Sequence, residues 1–210
     1  MPPVTTSQSV GPVAGTSAAF SIRPVLCFAP PFTPGAVPQA AGGPLPTCAP
    51  SSALTPSNLR VTPDSGTVDG YTSNSQIAAD PQFAIYPSTP AGSVGNNATV
   101  LLPGSPGAGT DRYVLGPAAL TGTSVRAAHV QDIDGQWTVD LQLTGSGSAR
   151  WDALARQQFH AIVGVVFGGM VVSAPITQPT QTAFSSFDGR LQVSGGLSEH
   201  QAEAVAAALR

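Results

Sequence analysis

Three histidines, His129, His160 and His200, are the side chains in this sequence best suited to moving protons near neutral pH. His129 has a carboxylate within reach. Asp134-Gly135, between "VRAAHVQDI" and "QWTVDLQL", is a strong signal for a two-residue hairpin loop. That loop sets His129 opposite Asp140 and Gln131 opposite Thr138 on one face, with Val130 opposite Val139 and Ala128 opposite Leu141 on the other. With a serine added, His129 and Asp140 would make the acid–base apparatus of a small envelope hydrolase. On a solvated strand face, however, such a pair is ordinarily a weak surface interaction. The sequence places no histidine beside a nucleophile. His160 ends a predicted helix, where the dipole favours a cation, and His200 lies in the first turn of another and needs only solvent.

The remaining chemical signals are weaker. "DIDG" (132–135) opens like a calcium loop, but "QWTVDLQL" lacks the later oxygen ligands and the closing glutamate. "GSPGAG" lacks the lysine and hydroxyl of a phosphate-binding loop and reads as a connector. The sequence contains no lysine, so neither a Schiff base nor a lysine base is available. "NAT" at Asn97 is a common chance match to a glycosylation acceptor. We expect no catalytic residue, no cofactor and no metal. Cys27 and Cys48 match no metal-ligand spacing. A disulfide in an oxidising compartment is the preferred reading, with two buried free thiols as the alternative.

Composition bounds the rest. Charged residues make up 9% of the 210, the basic ones are all arginine and the net charge is -3, so there is no material for a nucleic-acid footprint. Eighteen of the 21 prolines but only five of the 19 charged residues fall in residues 1–110. That half should hold short extended pieces joined by loops. "FSIRPVLCF" (20–28) and "NATVLLP" (97–103) are its strand candidates, and "QFAIYP" (82–87) is a weaker one. Residues 1–17, rich in Pro, Ser, Thr and Gly, read as a disordered linker or tether. "MPPVTTSQSV" has neither a basic start nor an apolar core, so no signal peptide is expected within it. Either the protein is cytoplasmic or a leader or lipid anchor lies upstream, and the second is the favoured expectation.

From Asp111 the pattern is regular. "SARWDALARQQF" predicts an amphipathic helix capped by Ser148, with Trp151, Leu154, Ala155 and Phe159 on one side and an Asp152–Arg156 surface pair. "AIVGVVFGGMVVSAPI" is too short to span a membrane and reads as a hairpin turning at Gly168-Gly169. Val166 should then face Val171, and Val165 face Val172, leaving both faces apolar. "GRLQVSGG" gives a short strand. "SEHQAEAVAAALR" gives a helix with a Ser198–Gln201 capping box and a stripe of Ala202, Val205, Ala206 and Leu209. The expected fold is α+β, a mostly antiparallel sheet with two helices on one face, preceded by an irregular Pro/Gly-rich segment with short strands. The expected organisation is a linker (1–17), a Pro/Gly-rich extension packing on the domain (18–110) and an α+β domain (111–210).

Four segments in order carry a resemblance: "RYVLGPAALTGTSV", "GQWTVDLQLTGSGSARWDAL", "VGVVFGGMVVSAP" and "GRLQVSGGLSEHQAEAVAAALR". Together they resemble the head of the large extracytoplasmic domain of SecD, the accessory subunit of the bacterial protein-export channel. "FSIRPVLCF" is similar to the Arg-Pro-Val strand that precedes that head. The likeness is good over the last hundred residues or so and loose before them. It departs at Gly168-Gly169, where the family commonly has an acidic residue, and in residues 1–110, which look too short and Pro-rich for the family's ferredoxin-like base. SecD continues past this helix into membrane helices coupled to the proton gradient, so a head-like module that does not pump alone is expected.

The resemblance implies a noncatalytic extracytoplasmic module of the cell envelope. It would be membrane-associated only through an anchor or partner, and would bind extended polypeptide or an envelope or translocon protein. Binding is expected through sheet edges and the apolar hairpin residues Val165, Phe167, Met170 and Val172. The alternative is the hydrolase using His129 and Asp140.

Overall fold

The structure is a computed structural model, and it describes residues 20–35, 39–54, 78–105 and 112–210. The expected linker 1–17 and most of the connector after Pro103 lie outside these residues. The elements run β1 (Ser21–Ala29), β2 (Val100–Pro103), β3 (Arg112–Leu115), β4 (Leu120–Thr121), β5 (Val125–Ile133), β6 (Gln136–Leu143), α1 (Gly145–Gln157), β7 (Val163–Phe167), β8 (Met170–Ser173), β9 (Arg190–Leu197) and α2 (Glu199–Ala208). The class is α+β, and every strand pair is antiparallel. The strands divide between two sheets rather than forming one. The larger runs β2-β3-β1-β7-β8 with β4 on β1, and the smaller runs β5-β6-β9.

The larger sheet curls round until Gly104 bridges Val171, bringing its first and last strands together. Inside the curl lie Val25, Phe28, Leu102, Tyr113, Leu115, Val166 and Val171. β1 is central despite Pro24. The Pro24 carbonyl accepts from Gly116 N–H, so its missing N–H faces the same side, in the break between β4 and β3. A bulge at Leu26 then reverses the side on which alternate residues point, and Cys27 and Ala29 turn to the outer face.

A second core joins the two sheets. Ile22, Val163, Val165 and Val172 from the larger sheet meet Ala128, Val139, Leu141 and Val193 from the smaller one, together with both helices. Helix α1 contributes Trp151, Leu154 and Ala155, and α2 contributes Ala202, Val205, Ala206 and Leu209. The β5–β6 register has the expected pairs, closed by Asp134 and Gly135, both at positive φ. The α2 capping box is formed with both of its hydrogen bonds.

Four local expectations are corrected. α1 begins earlier, at Gly145, because the Thr144 hydroxyl accepts from Gly147 N–H and takes the capping role assigned to Ser148. The helix ends at Gln157, so Phe159 leaves the helical stripe and stacks on His160. In the β7–β8 hairpin Val166 does face Val171, but a bulge pairs Val165 with Ser173 instead of Val172. Strand alternation still sends Val171 into one core with Val166, and Val172 into the other with Val165. "QFAIYP" forms a 3-10 turn, Pro81–Ile85, because Pro81 opens it and the Asp80 carboxylate accepts from Gln82 N–H.

Candidate functional site

The four hairpin residues divide by depth. Val165 and Val172 are 5% and 3% exposed, while Phe167 and Met170 are half-buried beside the Gly168-Gly169 turn. The hairpin forms part of one wall of a groove between the two sheets. β9 pairs only with β6, so its other edge has no strand neighbour among the described residues. Across the gap runs the chain from Val171 to Gln178. Two openings lie end to end along this gap and share Pro175. The first, about 340 Å³, is lined by Ile22, Val163, Val165, Trp151, Phe187 and Val193, among others. The second, about 320 Å³, includes Tyr113, Val172, Ser173, Ser194 and Gly195. Val165 therefore lines one opening and Val172 the other. Trp151, set edge-on to Phe187 at 5.2 Å between centroids, has a buried indole N–H with no hydrogen-bond partner.

The segment after β8 is held by polar bonds rather than by secondary structure. Gln178, at φ 46, exchanges hydrogen bonds with Ser185, accepting its N–H and donating to its carbonyl and hydroxyl. Thr177 donates its hydroxyl to the Gln158 carbonyl. The expected Asp152–Arg156 pair gives way to this segment. Asp152 accepts from the Ser186 hydroxyl and Phe187 N–H, and the Arg156 guanidinium lies 4.7 Å over the Phe184 ring. The surface pairing failed because the loop brings better partners to both ends of it.

His129 and Asp140 do lie opposite each other, on the solvated face of the smaller sheet. Asp140 accepts there from Gln192 Nε2 at 3.0 Å. The opening on that face, about 510 Å³, is lined by these two with Gln131, Gln142, Arg190 and Gln192 among others, and no serine borders it. His160 Nε2 is 2.7 Å from the Gln181 carbonyl, and His200 is exposed. The histidines are thus dispersed. Among the described residues, no three of His, Cys, Asp and Glu gather as metal ligands would.

Sequence reasoning missed the buried polar clamps. Arg23 is fully buried, and its guanidinium donates to the Ser21 hydroxyl and to the carbonyls of Ala98, Gly116 and Gly95 at 2.8–3.0 Å. Arg112 donates to the carbonyls of Pro30, Tyr86 and Phe83. Burial pulls both groups below the ordinary arginine value, because desolvation disfavours the charge. Asp80 accepts from Ala49 N–H and from both nitrogens of Gln82. The disulfide joins Cys27 and Cys48, with Cα atoms 6.1 Å apart. An arginine inside the apolar run of β1 was the available signal. No local pattern revealed which carbonyls would surround it.

Comparison with known proteins gives the following. The family described as SecDF, P1 head subdomain, matches residues 100–210. No curated protein matches. Among solved structures, SecDF in a super-membrane-facing form is 16% identical with a TM-score of 0.46, covering 93% of this chain and 19% of that one. A structure of SecDF described as a membrane component that enhances protein export is 16% identical with a TM-score of 0.44, over 92% of this chain and 62% of that one. SecDF from Thermus thermophilus, described as translocon-associated, is 26% identical with a TM-score of 0.34, over 46% and 13%. The chain therefore spans from about an eighth to about three fifths of these SecDF chains.

Proposed function

Because the chain belongs to the SecDF P1 head subdomain family, we propose that it is a noncatalytic extracytoplasmic module that holds extended polypeptide and assists protein export. The groove between the sheets carries this reading. Its β9 wall offers unpaired backbone donors and acceptors over Arg190–Val193, before Gly195 closes against Ser173, and its floor offers apolar openings at Val165 and Val172. That combination suits strand addition, in which main-chain hydrogen bonds supply affinity and alternate side chains fill pockets. Phe167 and Met170, at the hairpin tip, extend the apolar contact. Residues 111–210 act as the head, and the preceding extension, 18–110, joins it by supplying β1 as the central strand of the larger sheet. The disulfide suits an oxidising envelope compartment. Among the described residues no helix is long and apolar enough to cross a membrane. In this reading an anchor or a translocon partner holds the module at the membrane.

The test is fluorescence anisotropy with labelled, unstructured peptides rich in alternating apolar residues. Micromolar binding is expected. Ser194 is exposed and borders the second opening, so Ser194→Trp should fill the groove, weaken binding about tenfold and leave the melting temperature unchanged. A photo-crosslinker at Ser173 should capture the peptide, and one at Ala207 on the outer side of α2 should not. Absence of binding at 100 μM peptide, or equal capture at both positions, overturns the proposal.

A further inference from the structure

The smaller sheet has a second open edge, on β5, distant in the strand order from the groove. β5 is nine residues long, and β6 is its only strand partner among the described residues. The two-residue loop at Asp134-Gly135 makes Ile133–Gln136 a hydrogen-bonded pair. Alternation along the ladder then turns the N–H and C=O groups of Ala128, Val130 and Asp132 away from β6, toward the open edge. No proline and no lysine blunts this edge.

Its charges are polarised. Arg126 stands at the start of β5, while Asp132 and Asp134 stand at its end, and all three are exposed. Ile133, also at the end, is 43% exposed, one of only four large apolar side chains so exposed among the described residues. An antiparallel partner with the same polarity would reverse the charge order, bringing Arg126 to the acidic end of the other strand twice over. A parallel partner would set like charge on like.

We propose that β5 is a self-association edge, pairing antiparallel with β5 of a second copy about a twofold axis at Val130. Ala128 then faces Asp132 of the other copy through backbone hydrogen bonds, and exposed Ile133 packs beside Ala127. The two three-stranded sheets become one six-stranded sheet whose polar faces, carrying His129 and Asp140, lie on the same side. The C2 symmetry makes the interface self-complementary, so that one arginine and one acidic end on each copy satisfy both contacts.

Sedimentation equilibrium of the full chain tests this over roughly 1–500 μM. A monomer–dimer equilibrium in the micromolar range is expected, tightening at low salt. Arg126→Asp should weaken it about tenfold or more without moving the melting temperature, since Arg126 is exposed. Cysteines placed together at His129 and Gln131, which this register sets opposite each other on the solvated face, should form a disulfide-linked dimer under mild oxidation, whereas Cys at Ala207 should not. A monomer at every concentration, a dimer indifferent to Arg126→Asp, or equal crosslinking of the two variants overturns the proposal. So does a β5 edge whose amide resonances respond to added peptide and not to protein concentration.

Discussion

The two ends of the molecule are built by different means. Residues 112–210 are organised by short-range rules: a tight turn, a capping box, and two helices with apolar stripes over a regular ladder. The described residues before 106 are organised by a few long-range polar anchors. Arg23 reaches carbonyls more than 70 residues away, Arg112 reaches back to Pro30, and a disulfide and Asp80 fix the coil between. Proline-rich chain makes few ladders, so its backbone carbonyls need other donors. A guanidinium, with five N–H groups, can satisfy several at once. An irregular segment is thereby fixed with only a small core of its own, around Cys27, Ala29, Phe83 and Leu101.

The largest expected effect breaks that anchor. Arg23→Met keeps volume and apolar packing but leaves the carbonyls of Gly95, Ala98 and Gly116 without their donor. Leaving a buried acceptor unmade costs about 1–3 kcal/mol, so a loss of about 4 kcal/mol in urea unfolding is expected. A loss below about 1 kcal/mol would mean that the carbonyls find other donors, and that the arginine is not what orders this end.

Next comes the covalent anchor. The bridge joins cysteines separated by 21 in sequence, and such a constraint on the unfolded chain is worth about 3 kcal/mol. Cys27→Ala with Cys48→Ala should lower stability by about that amount. Protease cleavage should then fall in residues 30–54 before it reaches β5 to α2. Cleavage that begins instead in residues 125–208 would contradict the division drawn between the two ends.

This division also explains what could be read from the sequence. The β5–β6 register and the α2 cap and stripe were legible because each depends on residues fewer than 20 apart with chemically distinct turn signals. The bulge that set Ser173 opposite Val165 was not legible, because the run of similar apolar residues there carries no local signal for it. Asp152 and Arg156 had the right helical spacing, yet their partners come from a loop some 30 residues on. For the candidate site, the apolar character of the hairpin was readable. The groove was not, since it exists only because β9 and β8 face each other across an unpaired gap.

A third prediction tests the local end against its own rule. Gly147 lies in the first turns of α1, where alanine ordinarily raises helix stability by nearly 1 kcal/mol. Here a Cβ would stand 2.4 Å from the Ser124 carbonyl oxygen, a backbone atom that cannot move cheaply. Gly147→Ala should therefore destabilise by about 2 kcal/mol, the sign being opposite to propensity. A stabilised variant would show that the turn before β5 yields easily, and that α1 is placed less firmly than its packing suggests.

The smallest effect belongs to the most local device. Ser198 accepts from Gln201 N–H while the Gln201 side chain accepts from Ser198 N–H, so the cap is complete within four residues. Ser198→Ala removes one of these bonds at an exposed helix start and should cost about 1 kcal/mol. Because the cap shares no partner with Arg23 or with the disulfide, its effect should add to either change within about 0.5 kcal/mol. Strong coupling between Ser198→Ala and Arg23→Met would mean that local and long-range anchoring are not separate systems but communicate through the packed core that joins the two sheets. Additivity would instead place that shared core outside the energetics of both anchors, leaving each end of the chain held by its own chemistry.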